Sequence, residues 1–161
     1  MITNNDFTTT FVAPVTPDEA FEASTAPRTW WNQMIVGAAA QIGDTFIFDV
    51  PGLHHSKFEV TEARPGQHLA WKVIPSGEDT ELDEWLDTVV TFDFAPDTAG
   101  TRVTFTHHGL QPRMECHDVC STAWAYHLDA GLRALLTEGQ GTPITPDTID
   151  EVARKVGAAA E

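Results

Sequence analysis

The sequence contains no apolar run approaching the roughly 20 residues of a bilayer-spanning helix. Its first residues, MITNNDFTTTF, carry neither a basic region nor an apolar segment. Neither a membrane span nor a secretion signal is therefore expected, and the chain reads as soluble and cytoplasmic. Basic residues are scarce. Nine Lys and Arg stand against 24 Asp and Glu, for a formal net charge of −15, and only Arg154 and Lys155 are adjacent. Such a surface repels phosphate backbones and anionic headgroups, so nucleic acid and membrane are poor partners. Also missing are a Gly-rich phosphate loop, a Gly-x-Ser-x-Gly elbow, a His-Glu-x-x-His pair and an Asp-rich calcium loop. No cofactor is expected.

What is present fits one globular domain. The 161 residues with 42% hydrophobic content suffice for a single substantial core. FTTTFVA, Phe7 to Ala13, has the β-branched and aromatic content of a strand. In TPDEAFEAS, Thr16 caps a helix, Pro17 suits its first position and Glu19 completes a capping box. A second short helix is expected from Pro27 through RTWWNQM. From Asp44 to His108 the pattern has period two. Phe46 and Phe48 share one parity, as do His54, Ser56, Phe58 and Val60, then Val90, Phe92 and Phe94, then Val103, Phe105 and His107. Short turn-rich connections argue for an antiparallel meander with one buried face. An acidic loop, SGEDTELDE, interrupts it. Met114 to about Glu138 reads as a long helix stopped at Gly139. In the coda TPITPDTIDEVARKVG, Ile149, Val152 and Val156 fall at helical spacing.

One strand, two short helices, a curved antiparallel sheet and a long C-terminal helix is the order of the helix-grip fold, an α+β class. The sequence resembles the START-like (SRPBCC) superfamily and, within it, the family named after the activator of Hsp90 ATPase. Three stretches carry the resemblance: VTPDEAFEAST followed by TWW, FEVTEARPGQHLAWKV with Trp71, and CSTAWAYHLDAGLRALLTEGQGTP with Trp124. It runs from about Phe7 to Pro143 and implies a domain over residues 1–143, to which the periodic coda adds a helical extension over 144–161. It also implies a cavity between sheet and long helix suited to an apolar or amphipathic small molecule, without fixing a reaction.

The stretch MECHDVCSTAWAYHLDAGLRALL raises metal or redox chemistry. At 100° per residue, Cys116, Cys120, Ala123, Trp124, His127, Leu128, Gly131 and Leu135 form one inward stripe. Cys116 and Cys120 lie one turn apart, but a structural zinc needs four ligands, and His127 is about 10 Å beyond Cys120 along the axis. Parallel side-chain vectors disfavour a disulfide between them. The stripe therefore reads as a pocket wall, with a reactive thiol as the sharper alternative and no metal expected.

His54 and His107 share parity with large apolar neighbours, and His127 projects from the helix toward the same space. Such imidazoles either orient a polar group, act as acid or base, or are hydrogen-bonded core residues. The aromatic side chains make the stronger case for a ligand site. The expected lining is Phe46, Phe48, Phe58, Trp71, Trp85, Phe92, Phe105 and Trp124. His54, His107, Cys116, Cys120, His127 and Leu128 join it, with Trp31 or its neighbour Trp30 gating one mouth. The leading expectation is binding of a small hydrophobic or aromatic molecule without turnover. A cyclase-, aromatase- or lyase-type enzyme using His107 or His127 is the alternative. A chaperone- or regulator-binding module, acting through the acidic loop and last helix, is the third. A homodimer is also compatible.

Overall fold

The computed structural model describes residues 7–50, 54–75, 86–109, 124–141 and 143–145, with only the backbone described for Val50, His54 and His55. In chain order the elements are β1 (Phe7–Ala13), α1 (Pro17–Ser24), a 3₁₀ turn (Pro27–Thr29), β2 (Val36–Gly37), β3 (Thr45–Val50), β4 (His54–Arg64), β5 (His68–Ile74), β6 (Val89–Asp97) and β7 (Gly100–His108). The last is helix α2, described over 124–138. The strands make one antiparallel sheet in the order β1-β7-β6-β5-β4-β3-β2. No helix among the described residues is long and apolar enough to cross a membrane.

Side-chain alternation decides the inner face. Val90, Phe92 and Phe94 on β6 and Val103, Phe105 and His107 on β7 are buried, while Arg102 and His108 are exposed. Phe92 stands opposite Phe105 across one ladder and opposite Leu69 across the next. Between Val60 and Glu62 the β4–β5 register shifts. Such a bulge bends the strand and increases its twist, which curves the sheet. The outer face is polar. There His68 lies between Asp93 (Nδ1···Oδ1 2.6 Å) and Glu62 (Nε2···Oε2 3.1 Å), and Thr8 meets Thr106 at 3.1 Å.

Both helices pack on the inner face. In α1 the expected capping box is complete: the Glu19 amide donates to Thr16 Oγ1 at 3.1 Å, and the Thr16 amide donates to Glu19 Oε1 at 3.0 Å. Phe21 then meets Phe94 edge-on, with centroids 5.9 Å apart. The second short helix is a single 3₁₀ turn, not a helix through RTWWNQM. Its continuation is captured elsewhere. The Gln33 amide donates to Ile144 O at 2.8 Å, and the Met34 amide donates to Asn32 Oδ1 at 2.8 Å. A local Asn side-chain bond of this kind competes with helix propagation.

Helix α2 also departs from the regular helix expected of it. Its His127–Arg133 segment is a π-helix, followed by α-helix over Ala134–Glu138 and a left-handed Gly139. The wider turn rotates later residues. Trp124, Leu128 and Leu132 enter the core, while Leu135, placed inward at 100° per residue, is only partly buried. Gly131 is what lets the helix approach. A Cβ built there would lie 2.2 Å from the Trp30 carbonyl oxygen.

Candidate functional site

The space between sheet and α2 is filled from both sides by aromatic rings. Phe46 and Phe48 come from β3, Phe58 from β4, Trp71 from β5, Phe92 from β6 and Phe105 from β7, all buried. Trp31 joins the two sides. Its ring centroid lies 4.4 Å from Phe48, 5.8 Å from Phe58 and 6.4 Å from Trp71 on the sheet, and 4.7 Å from Trp124 on the helix. Trp124 in turn lies 4.6 Å from Phe105. Neither Trp30 nor Trp31 sits at a rim, as a gate would: they are 0% and 1% exposed. The short 3₁₀ turn explains this, because the chain leaves helical geometry at Trp30 and carries both rings inward.

Polar groups are few, and each is informative. The Trp124 indole N–H donates to His107 Nδ1 at 2.9 Å. An indole nitrogen only donates, so His107 Nδ1 is the acceptor and the ring proton sits on Nε2. That N–H faces Thr88 Oγ1 at 2.8 Å. Both ring nitrogens are thus committed. Through these two bonds His107, expected as an acid–base candidate, ties α2 to the sheet.

His127 differs. It is 3% exposed, and its Nδ1 has no hydrogen-bond partner among the described residues. Burial pushes its pKa down to about 4, so the ring is neutral at pH 7. It stands in the π-helical segment, an irregularity frequent at functional sites. Trp30 Nε1, Trp71 Nε1 and Asn32 Nδ2 are likewise buried without partners among the described residues. A buried polar group left unpaired costs about 1–3 kcal/mol.

Of the expected lining, the structure brings together Trp31, Phe46, Phe48, Phe58, Trp71, Phe92, Phe105, His107, Trp124, His127 and Leu128 in or against one core. Trp85, Cys116, Cys120 and the side chain of His54 lie outside the described residues. Among the described residues no group of three His, Cys, Asp or Glu side chains is arranged to hold a metal ion. Two contributors, Thr88 and Asn32, are not evident from the sequence, and the close approach at Gly131 goes beyond its expected place on the inward stripe. Thr88 and Asn32 carry no motif, whereas Gly131, an isolated glycine inside a helical pattern, was a usable signal of close backbone approach. A separate open groove of about 540 Å³ lies between α1 and the end of α2, lined by Val15, Ala23, Leu135 and Leu136 with Glu19 and Glu22 beside them.

Residues 14–137 match the family model described as activator of Hsp90 ATPase homolog 1-like protein. No curated protein sequence matches the chain. Among solved structures, that of the Aha1 dimer from Colwellia psychrerythraea is 24% identical and superposes with a TM-score of 0.70, covering 88% of this chain and 100% of that one. Protein MLL2253 from Mesorhizobium loti is 20% identical, with a TM-score of 0.67 over 82% of this chain and 96% of its own. CalU16 from Micromonospora echinospora is 16% identical, with a TM-score of 0.57 over 96% of this chain and 86% of its own. At these identities the likeness is one of fold.

Proposed function

The chain belongs to the activator of Hsp90 ATPase homolog 1-like family, and we propose that it binds a small hydrophobic or aromatic molecule between the sheet and α2, without turnover. One observation supports this reading: aromatic rings packed between sheet and helix enclose buried polar atoms that have no hydrogen-bond partner among the described residues. Aromatic walls with a few placed polar groups are the usual composition of a ligand site. The commitment of both His107 nitrogens favours binding over proton transfer. The enzyme alternative, a cyclase-, aromatase- or lyase-type reaction, narrows to His127, whose neutral ring would act as a base.

The test is native mass spectrometry of the purified protein for a retained small molecule, joined to displacement of a polarity-sensitive dye by aromatic compounds. Retention or saturable displacement supports the reading. An interior that admits neither dye nor competitor contradicts it.

A homodimer is the second element of the proposal. The Colwellia relative is described as a dimer, and here Val36 on edge strand β2 and the nearby loop residue Ile42 are about two-thirds exposed. Light scattering after size exclusion tests it, and a monomer mass at high protein concentration removes it.

A further inference from the structure

Resting on the ligand-binding reading, we infer that the bound molecule is uncharged and presents a hydrogen-bond-accepting oxygen, as an aromatic ketone or ether does, and that a hydrocarbon of the same shape is discriminated against. The inference stands on four buried polar atoms, Trp30 Nε1, Asn32 Nδ2, Trp71 Nε1 and His127 Nδ1, with the Trp30 and Trp71 rings packed on the same two neighbours, Trp31 and Phe92. All belong to side chains at least nine-tenths buried, and none has a hydrogen-bond partner among the described residues. Trp30 and Asn32 flank Trp31, whose ring is parallel to that of Trp71 at 6.4 Å. His127 stands about one turn before Gly131, which lies against the Trp30 carbonyl.

The inventory is lopsided. Three of the four, the two indole nitrogens and the amide NH2, only donate, while His127 Nδ1 donates or accepts with the tautomer of its neutral ring. Three acceptors of this interior already receive a hydrogen bond: Asn32 Oδ1 from the Met34 amide, Ile144 O from the Gln33 amide and His107 Nδ1 from Trp124. Among the described residues these indoles meet edge-on rings, Trp71 nearly perpendicular to Phe46 and Trp30 nearly perpendicular to Phe92. A ring face is a weak acceptor. An interior rich in unpaired donors is therefore complementary to a molecule that brings oxygen acceptors together with apolar surface. A carboxylate or phosphate does not fit equally well. The buried polar side chains among the described residues include no Lys or Arg, and His127 is neutral, so an anion would be buried without a counter-charge.

The experiment measures affinities of the full-length protein for two shape-matched pairs, 9-fluorenone against fluorene and 1-tetralone against tetralin, by calorimetry or native mass spectrometry. The ketone is expected to bind about five- to tenfold more tightly within each pair, the worth of one net hydrogen bond. Trp71→Phe is expected to narrow that gap while retaining hydrocarbon binding. Should that variant fail to fold, Trp30→Phe is read in the same way. Equal affinities within both pairs overturn the inference and leave the ligand-binding reading standing. Binding of none of the four compounds overturns both.

Discussion

Trp124 on the helix and His107 on the sheet share a buried hydrogen bond of 2.9 Å, and the same imidazole reaches Thr88 at 2.8 Å. Two elements that meet mainly through interchangeable aromatic contacts thereby acquire one directional bond. It fixes the histidine tautomer, the tilt of the indole and the height at which α2 grips the sheet.

Trp124→Phe keeps a ring in this position but removes the donor. A buried acceptor that loses its partner costs about 1–3 kcal/mol, and the missing pyrrole portion leaves a small void. A loss of about 2–3 kcal/mol in urea-denaturation stability is expected. A variant as stable as the parent would show that the bond contributes nothing.

His127 gives the protein an acid-sensitive component, and its sign follows from burial. Its folded pKa is lowered from 6.5 to about 4. Between those values the unfolded chain binds a proton that the folded chain refuses. The stabilisation is therefore complete above pH 6.5 and is lost as pH falls toward 4, to a total on the order of 3 kcal/mol. Melting curves from pH 7.5 to 4.5 check this against His127→Gln, whose profile is expected to be flatter. The exposed carboxyls of Glu19, held down by the Thr16 amide, and Glu62, held down by His68, are common to both proteins. Parallel profiles would contradict the assignment.

Gly131→Ala would gain helix propensity of up to about 1 kcal/mol on an exposed helix. Here the new methyl meets the Trp30 carbonyl at 2.2 Å, so helix or loop must shift. A net loss of about 2 kcal/mol is expected by denaturation, with weakened ligand binding. A neutral or stabilising result would mean that the close approach is not maintained in solution.

Thr16→Ala serves as the contrasting case. It dissolves the capping box of α1 and is expected to cost about 1 kcal/mol of stability. Ligand affinity is expected to stay within twofold of the parent; a larger change would couple α1 to the site.

Much of the architecture was legible because it follows from local rules. Thr16, Pro17 and Glu19 announce α1, and strand parity places Phe92, Phe105 and His107 on the buried face. Three features depend on distant partners and were not legible. The 3₁₀ turn stops early because Ile144, more than 100 residues later, takes the Gln33 amide. The π-helical turns of α2 shift the buried stripe from Leu135 to Leu132, which no periodicity of this segment reveals. The role of His107 rests on which atoms its two nitrogens meet, and parity reports only the side of the sheet.

The most direct test of an occupied interior is the indole region of a 1H–15N correlation spectrum, in which the five tryptophans report separately. Titration with 9-fluorenone is expected to move the Trp71 and Trp124 indole resonances in a saturable way. Stationary indole resonances, with shifts confined to Leu135, Leu136 and their neighbours along the outer groove, would contradict the account.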